Sequence, residues 1–359
     1  MSSATTGTAE ADRHPPPDAT QVAALESEVA GMFGTHHAVA VNSGTAAIHC
    51  ALLACGVGPG DEVLIPALAV VMSAVPVLYC GARPVFVDCD RDGTGMDPGD
   101  LIAKTTSRTK ALLAVYLWGR SGDPAWLADF ARTRRLCLIG DACQAHGTRF
   151  AERPLGAFGD AAALSFHRTK IIECGEGGAI LTSNNAVAQE CRALRTHWQD
   201  PPDGQPPLSR LGYNYRLAEP LAALARISLT HFTQLLARRQ EQTARLQAII
   251  EGTPGITVPA LRPGEDWNGY APLFRLELPR SRAFSQHLAA RGVPNSVGTF
   301  GLAACDQRPM FAPYVSAPCR NAARLIDNTL AVALSNGDSD DQIARYADII
   351  TSEARRWAA

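Results

Sequence analysis

Apolar positions recur along the chain with two periods, and the alternation between them lays out the architecture. Over 22–33, Val22, Leu25, Val29 and Phe33 fall on one face at helical spacing. Ala38-Val39-Ala40-Val41 is instead an unbroken apolar run that predicts a buried strand, with Ser43-Gly44-Thr45 as its exit and a small-residue helix over 46–54. Further runs predict strands at 62–65, 84–88, 111–117, 137–139, 162–166 and 178–181, with helices at 126–134 and 185–195 between several of them. Short apolar strands alternating with longer helices predict an α/β fold whose mostly parallel central sheet is covered on both faces.

The pattern then changes. The segment 199–209 is polar, carries four prolines and predicts an exposed loop, while 217–250, rich in Ala, Leu and Arg, predicts one long helical element bridging two lobes. A strand at 270–278 and helices at 281–291 and 340–358 predict a smaller C-terminal α+β domain. The expected division is a flexible tail over 1–20, a large domain over 21–250 that includes the bridging helix, and a small domain over 251–359.

Charge and composition remove several function classes. Thirty-three Lys and Arg against 35 Asp and Glu leave a net charge of -2, with no electrostatic footprint for nucleic acid. The longest apolar stretch, 65–79, contains Pro66 and Pro76 and is too short for a membrane span, and the polar, Pro-rich 1–19 has no apolar core of a signal peptide. Ten dispersed cysteines without a Cys-x-x-Cys pair predict buried free thiols in a reducing cytoplasm, and nine scattered histidines predict no metal site.

The chemistry concentrates around Lys170. It stands beyond a predicted strand in Ser165-Phe166-His167-Arg168-Thr169-Lys170 and is followed by Gly175-Glu176-Gly177-Gly178. A lysine amine serves both as nucleophile toward an aldehyde and, once released, as a base. Asp141, at the end of the strand over 137–139, would keep a pyridine nitrogen protonated, or would cap a helix beginning at Ala142. Ser43-Gly44-Thr45 at a helix start offers free N–H groups and hydroxyls to a phosphate, with an ordinary cap as the alternative, and Ser165 adds a further hydroxyl. Amine, carboxylate and phosphate cradle match the needs of pyridoxal 5'-phosphate (PLP). Gly56-Val57-Gly58-Pro59-Gly60 follows a helix and precedes a strand, the reverse of a dinucleotide site, and predicts a C-cap and turn.

Six segments carry a family resemblance: Val41-Asn42-Ser43-Gly44-Thr45-Ala46-Ala47, Gly60-Asp61-Glu62-Val63, Pro84-Val85-Phe86-Val87-Asp88, Asp141-Ala142-Cys143-Gln144-Ala145-His146-Gly147, the run from Ser165 to Lys170 with Gly175 to Gly178, and Gly212-Tyr213-Asn214-Tyr215-Arg216. From about Gln21 onward the chain resembles the DegT-type PLP-dependent aminotransferases of sugars and cyclitols, which have the fold type I of aspartate aminotransferase. The resemblance implies Lys170 as Schiff-base lysine and proton carrier and Asp141 as partner of the pyridine nitrogen. It implies Gln144 as a donor near the cofactor's phenolic oxygen, Gly44, Thr45 and Ser165 as phosphate ligands beside Ser43, and Asn214 as a contact to the neighbouring subunit's cofactor. It further implies a homodimer with shared sites, glutamate or glutamine as donor, a keto acceptor, pyridoxamine phosphate as the intermediate cofactor form, and a place in antibiotic or polysaccharide pathways.

The chain also departs from the family pattern. Ala69 and Val70 stand where members place Thr and a ring that stacks on the pyridine, Tyr116 stands for a His, and Gly301-Leu302-Ala303-Ala304-Cys305 lacks a Pro-Leu-His-like segment. These changes favour a small or less phosphorylated acceptor, with Arg120, Arg308 and Arg320 as the scattered cations available to a phosphate. Read alone, Asn214 is a turn or cap amide, and His167 and His146 are structural. Two other functions compete with amino transfer. One is a pyridoxamine-phosphate-dependent deoxysugar dehydratase, in which the lysine is typically replaced by His; the other is a non-catalytic PLP-binding regulatory protein.

Overall fold

A computed structural model describes residues 20–91, 93 and 95–358. The tail expected over 1–20 otherwise lies outside the described residues, and Thr20 itself caps the first helix, its Oγ1 accepting from the Ala23 N–H at 3.0 Å.

In chain order the first half runs α1 (Gln21–Phe33), β1 (His37–Val41), α2 (Gly44–Ala54), β2 (Glu62–Pro66), α3 (Val71–Tyr79), β3 (Arg83–Val87), α4 (Pro98–Lys104), β4 (Thr109–Val115), α5 (Pro124–Arg134) and β5 (Cys137–Asp141). A small hairpin of β6 (Arg149–Phe150) and β7 (Arg153–Pro154) precedes β8 (Ala161–Ser165), β9 (Gly178–Thr182) and α6 (Asn185–Arg195). Seven of these strands form one sheet in the order β1-β9-β8-β5-β4-β2-β3, and β9 alone runs against the others.

Successive residues of each strand point to opposite faces, and both faces are apolar. Val39, Val41, Ile65, Leu113, Ile139 and Ile180 pack on one side with α2, α3 and α6. Ala38, Ala40, Leu64, Leu112, Leu138 and Leu181 pack on the other with α1, α5 and α7 (Glu219–Thr230). Burial on both faces is the reason these strands read as continuous apolar runs.

The last third adds α8 (Phe232–Ile250), β10 (Ile256–Thr257), β11 (Glu265–Asp266), β12 (Leu273–Leu276), α9 (Ser281–Ala290), α10 (Arg320–Asp327), β13 (Thr329–Ala331) and α11 (Asp340–Ala358). A three-stranded antiparallel sheet, β10-β12-β13, carries a separate core of Phe274, Leu276 and Leu330 with Leu246 and Ile250 of α8 and Ile343 and Ile350 of α11. The single element expected over 217–250 is two helices, broken at His231, whose φ of -98° and ψ of 4° leave the helical basin. The strand expected over 270–278 is confined to β12, since Pro272 removes a donor just before it. α3 was not anticipated, and Pro76 lies inside it. No helix among the described residues is long and apolar enough to cross a membrane.

The sheet brings the exits of β1, β8 and β5 to its C-terminal edge, with the antiparallel β9 between β1 and β8, where α/β proteins bind ligands. Gly178 sets their spacing, because a Cβ there would lie 2.6–2.7 Å from the Ser43 carbonyl group and 2.7 Å from the Leu164 oxygen.

Behind this edge His146 is buried between Phe33 and Phe166, with Nδ1 accepting from the Ile172 N–H. Burial, reinforced by the charge of Lys170, pushes its pKa down from 6.5 to about 3, so the folded protein holds it neutral. The unfolded chain takes up a proton there as pH falls below 6.5, which makes this contribution to stability present above that value and progressively lost toward pH 3. His146→Asn keeps an acceptor near the Nδ1 position but cannot titrate. In denaturant unfolding between about pH 6 and 4, the substitution is expected to reduce the slope of unfolding free energy against pH by about 1.4 kcal/mol per unit; an unchanged slope would show that the imidazole is charged in the fold.

Candidate active site

The cradle at the sheet edge is built from backbone. Ser43 caps α2, its Oγ accepting from the Ala46 N–H at 3.1 Å, and helix geometry leaves the N–H groups of Gly44 and Thr45 without intrahelical acceptors. Gly44 is needed sterically, since a Cβ would lie 2.7 Å from Cys143 Sγ and 2.9 Å from Ser165 Cβ. The end of β8 therefore meets the start of α2 in direct contact. Donors at a helix N-terminus beside the buried Ser165 hydroxyl suit a phosphate.

Asp141 ends β5, and no helix follows it, so the helix-capping alternative is set aside. Its Oδ2 accepts from Ser73 Oγ at 2.5 Å, and its Oδ1 accepts from the Cys143 N–H at 3.1 Å. Ser73 lies in the first turn of α3 and is fully buried, and its bond together with that from Cys143 fixes the carboxylate. Nothing in the apolar run around it marks Ser73 as different from a small core residue, so local pattern does not reveal this contact.

Lys170 follows the exit of β8, with its N–H bonded to the His167 carbonyl, and its Nζ donates to the Tyr270 hydroxyl at 3.2 Å. Burial pushes the ammonium's pKa down, but Tyr270, Cys143 and Asp141 more than offset this and hold it above the ordinary lysine value. The Cys143 thiol is itself pushed well up, by burial first and then by Asp141, and stays neutral. The Tyr270 hydroxyl is the foremost of the groups that favour the charged amine, and Asp141 adds to it. His167 is half-exposed beside Thr169 and Glu176, away from these groups.

Gln144 hangs from the turn after Asp141, and its Oε1 accepts from the Trp118 N–H at 2.6 Å. That bond leaves the amide NH₂ as the end free to donate. Trp118 adopts a left-handed φ of 57°, unusual for a large residue. Its conformation is held at three points: the bond to Gln144, Nε1 to Ser296 Oγ at 2.9 Å, and its carbonyl accepting from Trp267 Nε1 at 2.9 Å.

A C-terminal segment closes this side. Glu265 forms a buried ion pair with Arg120, Nη2 to Oε2 at 2.8 Å, and accepts from the Ser121 N–H. Burial alone would raise the Glu265 pKa, but Arg120 and these N–H donors hold it below the ordinary value. Arg120 is therefore committed, and it drops out of the cations expected to reach a substrate phosphate. Asn268, fully buried, donates to the Gln144 and His146 carbonyls and accepts from the Tyr270 N–H.

Two expected residues stand apart from this cluster. Val70 is the N-cap of α3, half-buried, one turn before Ser73. Asn214 is exposed; its carbonyl accepts from Asn42 Nδ2, while Tyr213 and Tyr215 stack on each other beside His49. Lys170, Asp141, Gln144, Ser43, Gly44, Thr45 and Ser165 line one edge. Their chemistry suits a phosphorylated aromatic aldehyde with a basic ring nitrogen: N-terminal donors for phosphate, a fixed carboxylate for the ring and an amine for the carbonyl.

Known proteins share this organisation. The profile of the "DegT/DnrJ/EryC1/StrS aminotransferase family" matches residues 18–351. A GDP-perosamine synthase of Caulobacter vibrioides is 40% identical over 216 residues, 60% of this chain and 58% of that protein, so the chain matches little more than half the length of this relative. A dTDP-3-amino-3,4,6-trideoxy-alpha-D-glucose transaminase of Streptomyces venezuelae is 37% identical over 75% of this chain and 70% of that protein. The crystal structure of S. venezuelae DesV in complex with a ketimine intermediate superposes with a TM-score of 0.84 at 32% identity, covering 94% of this chain and 90% of that one. With a family profile spanning nearly the whole chain and a shared fold at this identity, the protein belongs to the DegT/DnrJ/EryC1/StrS aminotransferase family.

Proposed function

We propose that the protein is a PLP-dependent aminotransferase that moves an amino group from glutamate or glutamine to the keto group of a sugar, cyclitol or related small acceptor. The aminotransferases of this family use PLP. The observation that carries the reading is geometric: Asp141 ends β5, Lys170 follows the end of the neighbouring parallel strand β8, and the N-terminus of α2 touches the end of β8. When bound, PLP supplies an aromatic ring that accepts the electron pair left as an amino acid loses its α-proton.

Each residue then has a role in holding or moving groups. The N–H groups of Gly44 and Thr45, with the Ser43 and Ser165 hydroxyls, bind the phosphate. Asp141, oriented by Ser73, keeps a proton on the ring nitrogen, and the Gln144 NH₂ donates to the phenolic oxygen. Val70, at the N-cap of the helix that carries Ser73, offers methyl groups to the ring face in place of an aromatic stack. Lys170 Nζ takes the α-proton of the donor and returns it on the cofactor side, then reverses both steps for the acceptor. Lys170 favours this reading over dehydration, in which that lysine is absent.

The active unit in this reading is a homodimer, with Asn214 reaching the partner's phosphate. Support comes from an exposed apolar surface around that segment, where Leu211 is 85%, Leu208 68% and Tyr79 57% accessible. Ten free, mostly buried cysteines agree with a reducing cytoplasm. The two relatives above are named for nucleotide-linked sugars, a GDP-perosamine and a dTDP-amino sugar, which supports a sugar acceptor. Commitment of Arg120 to Glu265 leaves fewer cations for a diphosphate and keeps a free keto sugar or ketocyclitol among the acceptors.

Mixing PLP-loaded enzyme with glutamate is expected to bleach the cofactor absorbance and release 2-oxoglutarate; absence of any spectral change with any amino donor would sink the reading. Lys170→Ala is expected to slow the half-reaction by about 10²–10⁴-fold. Asp141→Asn, which keeps the shape but not the charge, is expected to retain the fold while the turnover falls by about 10²-fold or more. Shared sites predict that Lys170→Ala and Asn214→Ala chains, each inactive alone, regain about a quarter of wild-type turnover when randomly paired, because half the dimers are mixed and each has one intact site; no regain places Asn214 in its own subunit's site or in none.

A further inference from the structure

Tyr270 meets the Lys170 amine from a position 100 residues later in the chain, and its contact is with the one atom on which the proposed chemistry turns. Lys170 Nζ lies 3.2 Å from the hydroxyl oxygen and 5.3 Å from the ring centroid. The amine approaches past the hydroxyl, so the hydrogen bond is the main interaction and the ring face a lesser one.

The tyrosine is held from both sides through its backbone. Its N–H donates to Asn268 Oδ1 at 2.9 Å, and its carbonyl accepts from Arg239 Nη1 at 3.1 Å. Asn268 is in turn bonded to the turn that carries Gln144 and His146, and Arg239 is buried and bonded to Asn336. None of these anchors uses the phenolic oxygen. The hydroxyl is therefore available to the amine, and its removal leaves the segment's own supports in place.

We propose that Tyr270 is a further catalytic residue, whose hydroxyl accepts a hydrogen bond from the Lys170 amine whenever that amine is free and holds it in position to exchange the substrate's α-proton. The inference rests on the reading of Lys170 given above. With PLP bound, the donor's Cα–H bond would break, its electron pair would be taken up by the cofactor, and the proton would form an N–H bond on Lys170 Nζ, from which it would be delivered to the cofactor-side carbon as the electron pair returns there. Tyr270 neither gains nor loses a proton; it stabilises the ammonium and fixes its direction. Burial opposes the charged amine, which makes a fixed acceptor at this position valuable.

The test uses full-length holoenzyme carrying Tyr270→Phe, which keeps the ring and both backbone anchors. Borohydride reduction followed by peptide mass mapping is done first; a cofactor adduct on Lys170 in wild type and variant alike secures the underlying reading, and its absence from wild type would overturn that reading instead. Rates are then expressed per cofactor trapped, so that partial loss of folded protein does not enter. The pyridoxamine-phosphate form, in which the amine is free, is titrated by pH-dependent acylation of Lys170. We expect the variant's midpoint to move to lower pH, the single-turnover rate with glutamate to fall about tenfold, and the isotope effect with α-deuterated glutamate to increase. A variant with the wild-type midpoint, rate and isotope effect overturns the proposal, as does a slower rate with both the midpoint and the isotope effect unchanged, which assigns Tyr270 a structural role.

Discussion

The architecture of this site depends on how closely backbone segments approach at the end of the sheet. At Gly178 the antiparallel strand β9 passes the exits of both β1 and β8 at a distance that leaves no room for a Cβ, and at Gly44 the start of α2 touches Cys143 and Ser165 in the same way. Overpacking of this kind costs about 1–3 kcal/mol and moves backbone. The result of the close approach is chemical. The N-terminus of α2, the end of β5 and the end of β8 come together with Asp141 and Lys170 on the same side, and each polar group is supplied by a different element.

The second constraint is the return of the chain from β11 to β12 across the large sheet's edge. The Arg120–Glu265 pair there is nearly inaccessible, with 4% and 0% of the side chains exposed. Desolvation makes such a pair a weak source of net stability, yet losing one partner would strand a buried charge, so its main effect is to fix where the segment lies. Ser121 and Arg262 donate to the same carboxylate, and Asn268 then sets the register of the following residues against Gln144 and His146. The position of Tyr270 over Lys170 follows from that register. Two regions far apart in sequence thus act on one amine.

Much of the fold was legible in the sequence because both faces of the central sheet are covered. Each strand of that sheet reads as an apolar run, and Asp141, Ser165 and Ser43 fall at strand ends on pattern alone. α3 was hidden by its composition: Pro66 and Pro76 flank and interrupt an apolar stretch that has no polar face to show a helical period. The break at His231 was hidden for the opposite reason, since Ala, Leu and Arg on both sides are all good helix formers and only packing decides where the helix turns. Ser73 and Tyr270 were out of reach for a third reason. Their importance is in pairings across 68 and 100 residues, and no local pattern encodes such contacts.

The same logic separates what is fixed in this site from what is free to differ. Asp141 and Gln144 are each held by a hydrogen bond from another element, and the α2 N-terminus by close contact with Cys143 and Ser165, so the fold determines where these groups lie. Val70 is different. It caps α3 without a side-chain bond, and its place one turn before Ser73 can take a side chain of another shape without disturbing the bond to Asp141. A branched aliphatic residue there gives up the flat contact of an aromatic ring but keeps the first turn of α3 in place. Trp118, by contrast, is held at three points in a backbone conformation that disfavours most other residues, so the wall it forms is rigid. With Val70 placed against the cofactor ring as proposed, the α3 side can vary while the Ser73–Asp141 bond and the conformation of Trp118 stay fixed.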